Sequence, residues 1–269
     1  MKKVFILTFL LSVCFAHPAH AVNSEIIVDS IKIIIPAPEG FVDVTNTEPE
    51  MIAEFKNFVA PGSRFQALLI PFEDMLSKNP YPVRYLSVQT NKLIESQEIT
   101  SSSFVKGRQA IRANVEETLG QATGDINQYL SQVVEGFDME IGEIKYVPFE
   151  SESENHIAFS SLSKYSMGTD SEKTDVIMAG SWAMVLSKNR LININVYSIY
   201  NTVGDLEWTQ NTLVKWAAAI IEANPSLRSS ANSNGVNWGK SAVKGLIQAL
   251  TIAVLGVIIV IYRKSKKTQ

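Results

Sequence analysis

Cysteine is all but missing. The chain of 269 residues has one, Cys14, and it falls inside the apolar N-terminal run. Beyond that run no disulfide and no thiolate nucleophile can form. Histidine is nearly as scarce. His17 and His20 border the same run, which leaves His156 as the one imidazole of the remaining chain. A histidine-rich zinc site within one chain is therefore excluded. No Walker A loop and no G-x-G-x-x-G stretch is present, so nucleotide use has no support. No internal repeat is visible. Hydrophobic residues make up 46% of the chain and charged residues 19%. That composition excludes a disordered chain or a collagen-like one, and long apolar runs occur only at the two ends.

Those two ends carry the clearest signals. Met1-Lys2-Lys3 precedes an almost wholly apolar stretch from Val4 to Ala16, and His17-Pro18-Ala19-His20-Ala21 follows. A basic start, an apolar run too short to span a bilayer and a small-x-small site predict a secretory signal peptide over residues 1–21, cut after Ala21. Leu11-Ser12-Val13-Cys14 offers a lipoprotein alternative, against which stands Val13, where such signals want Gly or Ala. At the other end, residues 245–262 read GLIQALTIAVLGVIIVIY with no charge. Such a run reaches roughly 27 Å as a helix, enough for a hydrocarbon core. Trp238 precedes it, Tyr262 closes it, and Arg263, Lys264, Lys266 and Lys267 follow. Interface aromatics and a basic stop predict one transmembrane helix over residues 244–262 with residues 263–269 in the cytoplasm. Residues 22–228 then form the exported domain, and 229–243, opening SSANSNGVN, a flexible linker. Eighteen of the 24 basic residues remain outside against all 27 acidic ones, a net charge of −9. An acidic exported domain argues against nucleic acid as a partner.

Within the domain, residues 26–35 are rich in β-branched side chains and predict a strand, ended by the Pro36-Ala37-Pro38-Glu39-Gly40 turn, with 41–44 extended beyond it. Thr47-Glu48-Pro49-Glu50 has capping-box spacing and a first-turn proline, and Met51, Ile52, Phe55, Phe58 and Val59 continue at helical intervals. Residues 64–72 and 83–93 predict strands. Residues 101–119 and 125–135 predict two helices. The period then changes to two over 141–149, 157–166, 176–186 and 191–199, the last pair a hairpin around Ser187-Lys188-Asn189-Arg190. A final helix from Asp205 buries Leu206, Leu213, Trp216, Ala217, Ile220 and Ile221 and ends at Asn224-Pro225. The pattern predicts an α+β fold, a mainly antiparallel sheet with packed helices.

Pro36, Pro38, Gly40 and Phe41 in a P-x-P-x-G-F turn, the late hairpin ending Asn195-Val196-Tyr197-Ser198, and the closing helix with Trp216 before Asn224-Pro225 together resemble the Mog1/PsbP-like family of α/β/α sandwiches. The resemblance spans most of residues 26–225. It departs at the long helical region 101–136 and at the C-terminal anchor. It implies an α/β/α sandwich that works through protein partners without catalysis, and it carries over no functional residue.

Candidate sites are few. Glu150, Glu152, Glu154 and His156 alternate, so on one extended chain they could converge on a divalent cation; the competing reading is a solvated acidic hairpin loop. Asp170, Glu172 and Asp175 form a second acidic loop with the same two readings. Ala179-Gly180-Ser181-Trp182-Ala183 lacks the second glycine of a nucleophile elbow. Lys106, Arg108 and Arg112 make a small basic face, either solvated or an anion site. Trp182, Trp208 and Trp216 read as core. In the membrane segment Ser241, Gly245, Ala249 and Ala253 fall every fourth residue, a small-residue stripe suited to helix pairing and hence to a homodimer. No cofactor is indicated.

These signals predict a single-pass bacterial inner-membrane protein whose periplasmic domain is a binding or assembly module, with another envelope protein as its partner. The alternative is a membrane-tethered periplasmic hydrolase using carboxylates, since pairs distant in sequence can meet in space. A reporter active only in the periplasm is expected to work when fused after Asn237 and to be silent after Gln269. Activity of the Gln269 fusion would reverse the orientation argued from Arg263, Lys264, Lys266 and Lys267.

Overall fold

Two short strands, not one, occupy the first β-branched run. In this computed structural model, which describes residues 23–57, 59–77, 82–133, 138–169 and 172–225, β1 (Ser24–Val28) turns back into β2 (Ile31–Ile35). The expected single strand over 26–35 is corrected by Asp29 and Ser30, which sit at φ 46° and 67°. Two consecutive left-handed residues make the hairpin turn whose twist matches its strands, and Asp tolerates that conformation. The uninterrupted β-branched character on either side hides the break. Register Ile26↔Ile33 puts both side chains on one face, and both are buried.

The chain then turns at Pro38-Glu39-Gly40. The Phe41 N–H donates to the Pro38 carbonyl at 3.0 Å, and Gly40 has φ 79°. That is a type II turn, which demands a residue free to adopt positive φ at its third position. β3 (Phe41–Asp43) follows. Helix α1 (Pro49–Lys56) starts from Glu48 without a side-chain cap, so the capping box expected at Thr47 does not form and Pro49 marks the start. β4 (Ser63–Pro71), the short α2 (Phe72–Leu76) and β5 (Arg84–Asn91) come next.

The two helices expected at 101–119 and 125–135 are one, α3 (Ser101–Val133), 33 residues long. Gly120 and Gly124 each cost a helix about 1 kcal/mol, but neither breaks the backbone ladder, and the stretch has no proline. β6 (Asp138–Ser153), β7 (His156–Thr169), β8 (Glu172–Ser187) and β9 (Arg190–Ile199) form a meander. The last helix, α4 (Val203–Ala223), opens with the Asp205 carboxylate accepting the N–H groups of Asn201 and Thr202 at 3.1 and 2.9 Å.

Strands β3 to β9 make one seven-stranded sheet in the order β3-β4-β5-β9-β8-β7-β6. Every pair is antiparallel. Its two faces bury different partners. On one, Phe55 of α1 and Phe104, Ile111 and Val115 of α3 meet Leu68, Tyr85, Phe159, Trp182 and Tyr197. On the other, Leu213, Trp216, Ala217 and Ile220 of α4, with the β1–β2 hairpin, meet Leu86, Val88, Ile192, Ile194 and Val196. The α+β architecture with a large antiparallel sheet and packed helices follows directly. Period two in β9 decides the sides: Ile192, Ile194 and Val196 face α4, and Tyr197 faces α1 and α3. Among the described residues no helix is long and apolar enough to cross a membrane. The signal peptide, linker, transmembrane and tail assignments (1–21, 229–243, 244–262 and 263–269) lie outside the described residues.

Trp216 is 1% exposed, and its Nε1–H donates to the Pro36 carbonyl at 2.8 Å. Trp216→Ala is expected to lower unfolding free energy by about 3–5 kcal/mol. Trp216→Phe keeps most of the packing and is expected to lose about 1–3 kcal/mol, because the Pro36 carbonyl is left unpaired. Urea titrations of both variants check this ordering; parental stability in Trp216→Phe would remove the hydrogen bond from the account, and equal losses would remove the packing.

Candidate functional site

The acidic segment is strand, not loop. β6 runs to Ser153 and β7 starts at His156, so only Glu154-Asn155 turn between them. The turn restarts the alternation that would have aligned His156 with the glutamates. Cross-strand partners are Ser153↔His156 and Glu152↔Ile157, and partners share a face. Glu152 therefore lies on the α3 side, with its carboxylate 2.6 Å from Arg112 and 3.7 Å from Arg108. His156 lies on the opposite side, hydrogen-bonded through Nε2 to Ser151 Oγ at 3.1 Å and through Nδ1 to Ser153 Oγ at 2.8 Å. Glu154 is exposed in the turn, and the Glu150 side chain lies outside those described. Among the described residues no three His, Cys, Asp or Glu side chains come together as a metal site would need.

The remaining candidates disperse in the same way. Asp175 accepts from Lys164 Nζ at 2.7 Å and Ser166 Oγ at 2.6 Å; Glu172 opens β8, and Asp170 lies outside the described residues. Arg108 and Arg112 share Glu152, while Lys106 is exposed. Ser181 is fully buried between Ser160 Oγ and Thr209 Oγ1, each 2.8 Å away, and His156 bonds to other serines. Ser241, Gly245, Ala249 and Ala253 lie outside the described residues.

Among the described residues three carboxyls have acidities that depart from the ordinary range. Glu95 is held low by its hydrogen bond from Arg64, Asp175 by that from Lys164, and Asp205 by the backbone N–H of Asn201. A general acid needs its carboxyl pushed the other way.

A different feature stands out on the α4 face. Pro36, Ala37, Pro38, Glu39 and Phe41 form one wall of an open groove of about 400 Å³, and Trp208, Thr212, Lys215, Trp216 and Ala219 form the other. The helix residues follow the spacing i, i+4, i+7, i+8 and i+11, one flank of α4 beside its buried stripe. Phe41 and Trp208 stack with centroids 6.0 Å apart at 26°. The Arg84 guanidinium lies 4.4 Å from the Trp208 ring centre and 3.3 Å from Asp205. Trp182 and Trp216 are core, as the sequence suggests, but Trp208 is only half-buried and lines this groove. The P-x-P-x-G-F turn is visible in the sequence, whereas Trp208 reads there as core and Thr212 and Lys215 carry no sign of a site. The signal available was their helical spacing next to the stripe.

Outside the groove several large apolar side chains are exposed. Phe72 is 48% exposed, Val83 47%, Ile177 41% and Val203 60%. The Ile199 N–H donates to the Val83 carbonyl and the Tyr200 N–H to that of Ile177, which sets Val83 and Ile177 on successive rungs of neighbouring strands and hence on opposite faces of the sheet.

No protein-family model matches the chain, and no curated protein matches it in sequence.

His156 offers a pH test of its surroundings. Burial, then the Arg108 charge, hold its imidazole below the ordinary value, while Glu152 pulls the other way. The unfolded chain therefore takes up a proton first as pH falls through about 6.5. Stability is complete above that pH and declines below it, down to the folded value. The urea midpoint is expected to be lower at about pH 5.5 than at about pH 7.5, and to vary less in His156→Gln. Glu95, Asp175 and Asp205 titrate in a more acidic window and do not confuse this one. An unchanged pH dependence in the variant would take His156 out of the effect.

Proposed function

We propose that the chain is a non-catalytic binding module of the bacterial envelope, exported by residues 1–21, tethered by residues 244–262, with its folded domain in the periplasm. The observation that carries this reading is the groove between the Pro36–Phe41 loop and α4. It is concave, lined by aromatic rings and a few polar groups, and open to solvent, which suits recognition. The exposed Phe72, whose N–H donates to the Gly40 carbonyl, and Val203, which opens α4, add apolar surface to the elements that form its walls and support a protein as the partner. Helices on both faces of the sheet support the finer α/β/α sandwich assignment and, with it, likeness to the Mog1/PsbP-like proteins. The carboxylate-hydrolase alternative gains nothing from the structure: Glu95, Glu152, Asp175 and Asp205 are all ion-paired.

A photo-crosslinking amino acid at Thr212, on the groove wall, is expected to give a discrete protein adduct in intact cells. The same group at Glu116, exposed on α3 across the sheet, is expected to give none. No adduct at Thr212, or the same adduct at both positions, would remove the groove from the function.

A further inference from the structure

The first hairpin leaves one strand edge open. The Asn224 carboxamide engages both the N–H and the carbonyl of Ile34, and Lys188 Nζ donates to the Lys32 carbonyl at 2.7 Å. Those main-chain groups therefore point away from β1. In an antiparallel pair the residue directly opposite points its own groups the other way. Ile34 pairs with Glu25 and Lys32 with Ile27, so the N–H and carbonyl of Glu25 and Ile27 project from the outer edge of β1. β2 is the strand's one partner, and among the described residues nothing bonds to these four groups. β1 has no proline, no bulge and no lysine to guard that edge, and its one charge, Glu25, is paired with Lys32 at 2.5 Å. Ile27 stands 68% exposed beside it.

The edge selects a strand that is already formed. Pairing here gains four main-chain hydrogen bonds at most, too few to offset the backbone entropy that a loose peptide gives up in ordering a strand of this length. A preformed edge has none of that freedom left to lose. β1 is such an edge, and it matches itself. About a two-fold axis at Ile26, Glu25 of each copy exchanges both hydrogen bonds with Ile27 of the other, and Ser24 lies opposite Val28. Every open group on both strands is then paired. The neighbouring registers fail: one sets Glu25 against Glu25, and the other sets Glu25 against Asp29, in the turn at φ 46°. On the outer face the two Ile27 side chains become diagonal neighbours and cover one another. On the inner face Ile26 meets Ile26, each backed by its own core. With residues 1–21 removed, as proposed above, only Val22 and Asn23 precede β1, too few to fold back along it. We propose that β1 pairs antiparallel with β1 of a second copy, centred on Ile26, so that the two hairpins form one four-stranded sheet. The pairing rests on the export reading for its free N-terminus and is independent of the groove and of what binds there.

The test uses the full chain in detergent micelles. Sedimentation is expected to give the mass of two chains, and hydrogen exchange at the Glu25 and Ile27 amides is expected to slow as protein concentration rises. Ile27→Glu sets like charges directly opposite at two symmetric points and is expected to raise the dissociation constant at least about tenfold. Adding Glu25→Lys turns the same two contacts into opposite charges and is expected to restore pairing. Position 27 is exposed and its N–H bonds to nothing within the described residues, so both variants keep the fold, as thermal unfolding checks. A one-chain mass for protein that starts at Val22, by intact mass, overturns the proposal and leaves the export reading standing. Slow exchange at both amides in a one-chain species would make another segment of the same chain the occupant and would overturn it. So would a two-chain mass that Ile27→Glu leaves unchanged, because the contact then lies elsewhere. Loss of pairing in Ile27→Glu without recovery in the double variant would reduce Ile27 to a general apolar contact and overturn the strand register.

Discussion

The contact between α4 and the segment that follows the first hairpin holds the candidate site together. The β1–β2 hairpin does not belong to the seven-stranded sheet. An isolated two-stranded hairpin is marginal in water. Ile26, Val28, Ile33 and Ile35 bury their side chains against the sheet and α4, each worth on the order of 1.5–3 kcal/mol. The hydrogen bonds are individually weaker, about 1 kcal/mol net, but they fix direction. The Asn224 carboxamide donates to the Ile34 carbonyl at 2.7 Å and accepts the Ile34 N–H at 2.8 Å. Trp216 holds Pro36 from the same helix. Apolar burial thus supplies the attraction, and two polar side chains three turns of helix or less from one another set where the loop lies.

The same two-point device closes a sheet edge. β6 is a long edge strand, and such strands invite pairing with other chains. At Ile141 the Asn127 carboxamide of α3 accepts the N–H at 2.7 Å and donates to the carbonyl at 2.9 Å. A side-chain amide stands in for the missing strand. The register also shifts between Ile141 and Ile144 and again between Val147 and Ser151, where Pro148 brings no N–H. The opposite edge, β3, is three residues long. Both edges are thereby poor templates for strand addition, which turns attention to grooves and end surfaces for recognition.

Parts of this organisation are legible in the sequence. The β8–β9 hairpin and α4 are read correctly because period two and period 3.6 are strong there and the breaks at Lys188-Asn189 and Asn224-Pro225 carry turn residues. The first hairpin is missed because Asp29-Ser30 is a mild turn signal between β-branched runs. α3 is split in two because its glycines weaken a helix without ending it. The acidic cluster fails for a geometric reason: alternation counts along one strand, and a two-residue turn at Glu154-Asn155 inverts which face the following residues take. The groove is out of reach because it joins residues 36–41 to residues 208–219. Only the fold brings them together.

The groove's chemistry is a by-product of how the fold is held. Trp216 is a core residue, and its indole N–H, once buried, needs an acceptor. It finds one at Pro36, and the type II turn at Gly40 uses the Pro38 carbonyl in the same way. The bonds that fix the loop therefore engage one lone pair on each of these two carbonyls. The helix wall is under no such demand. Thr212 and Lys215 lie beside the buried stripe of α4, where solvent satisfies them in the free protein. Structural necessity thus fixes one wall of a concave aromatic surface, while the side chains of the other wall answer only to solvent.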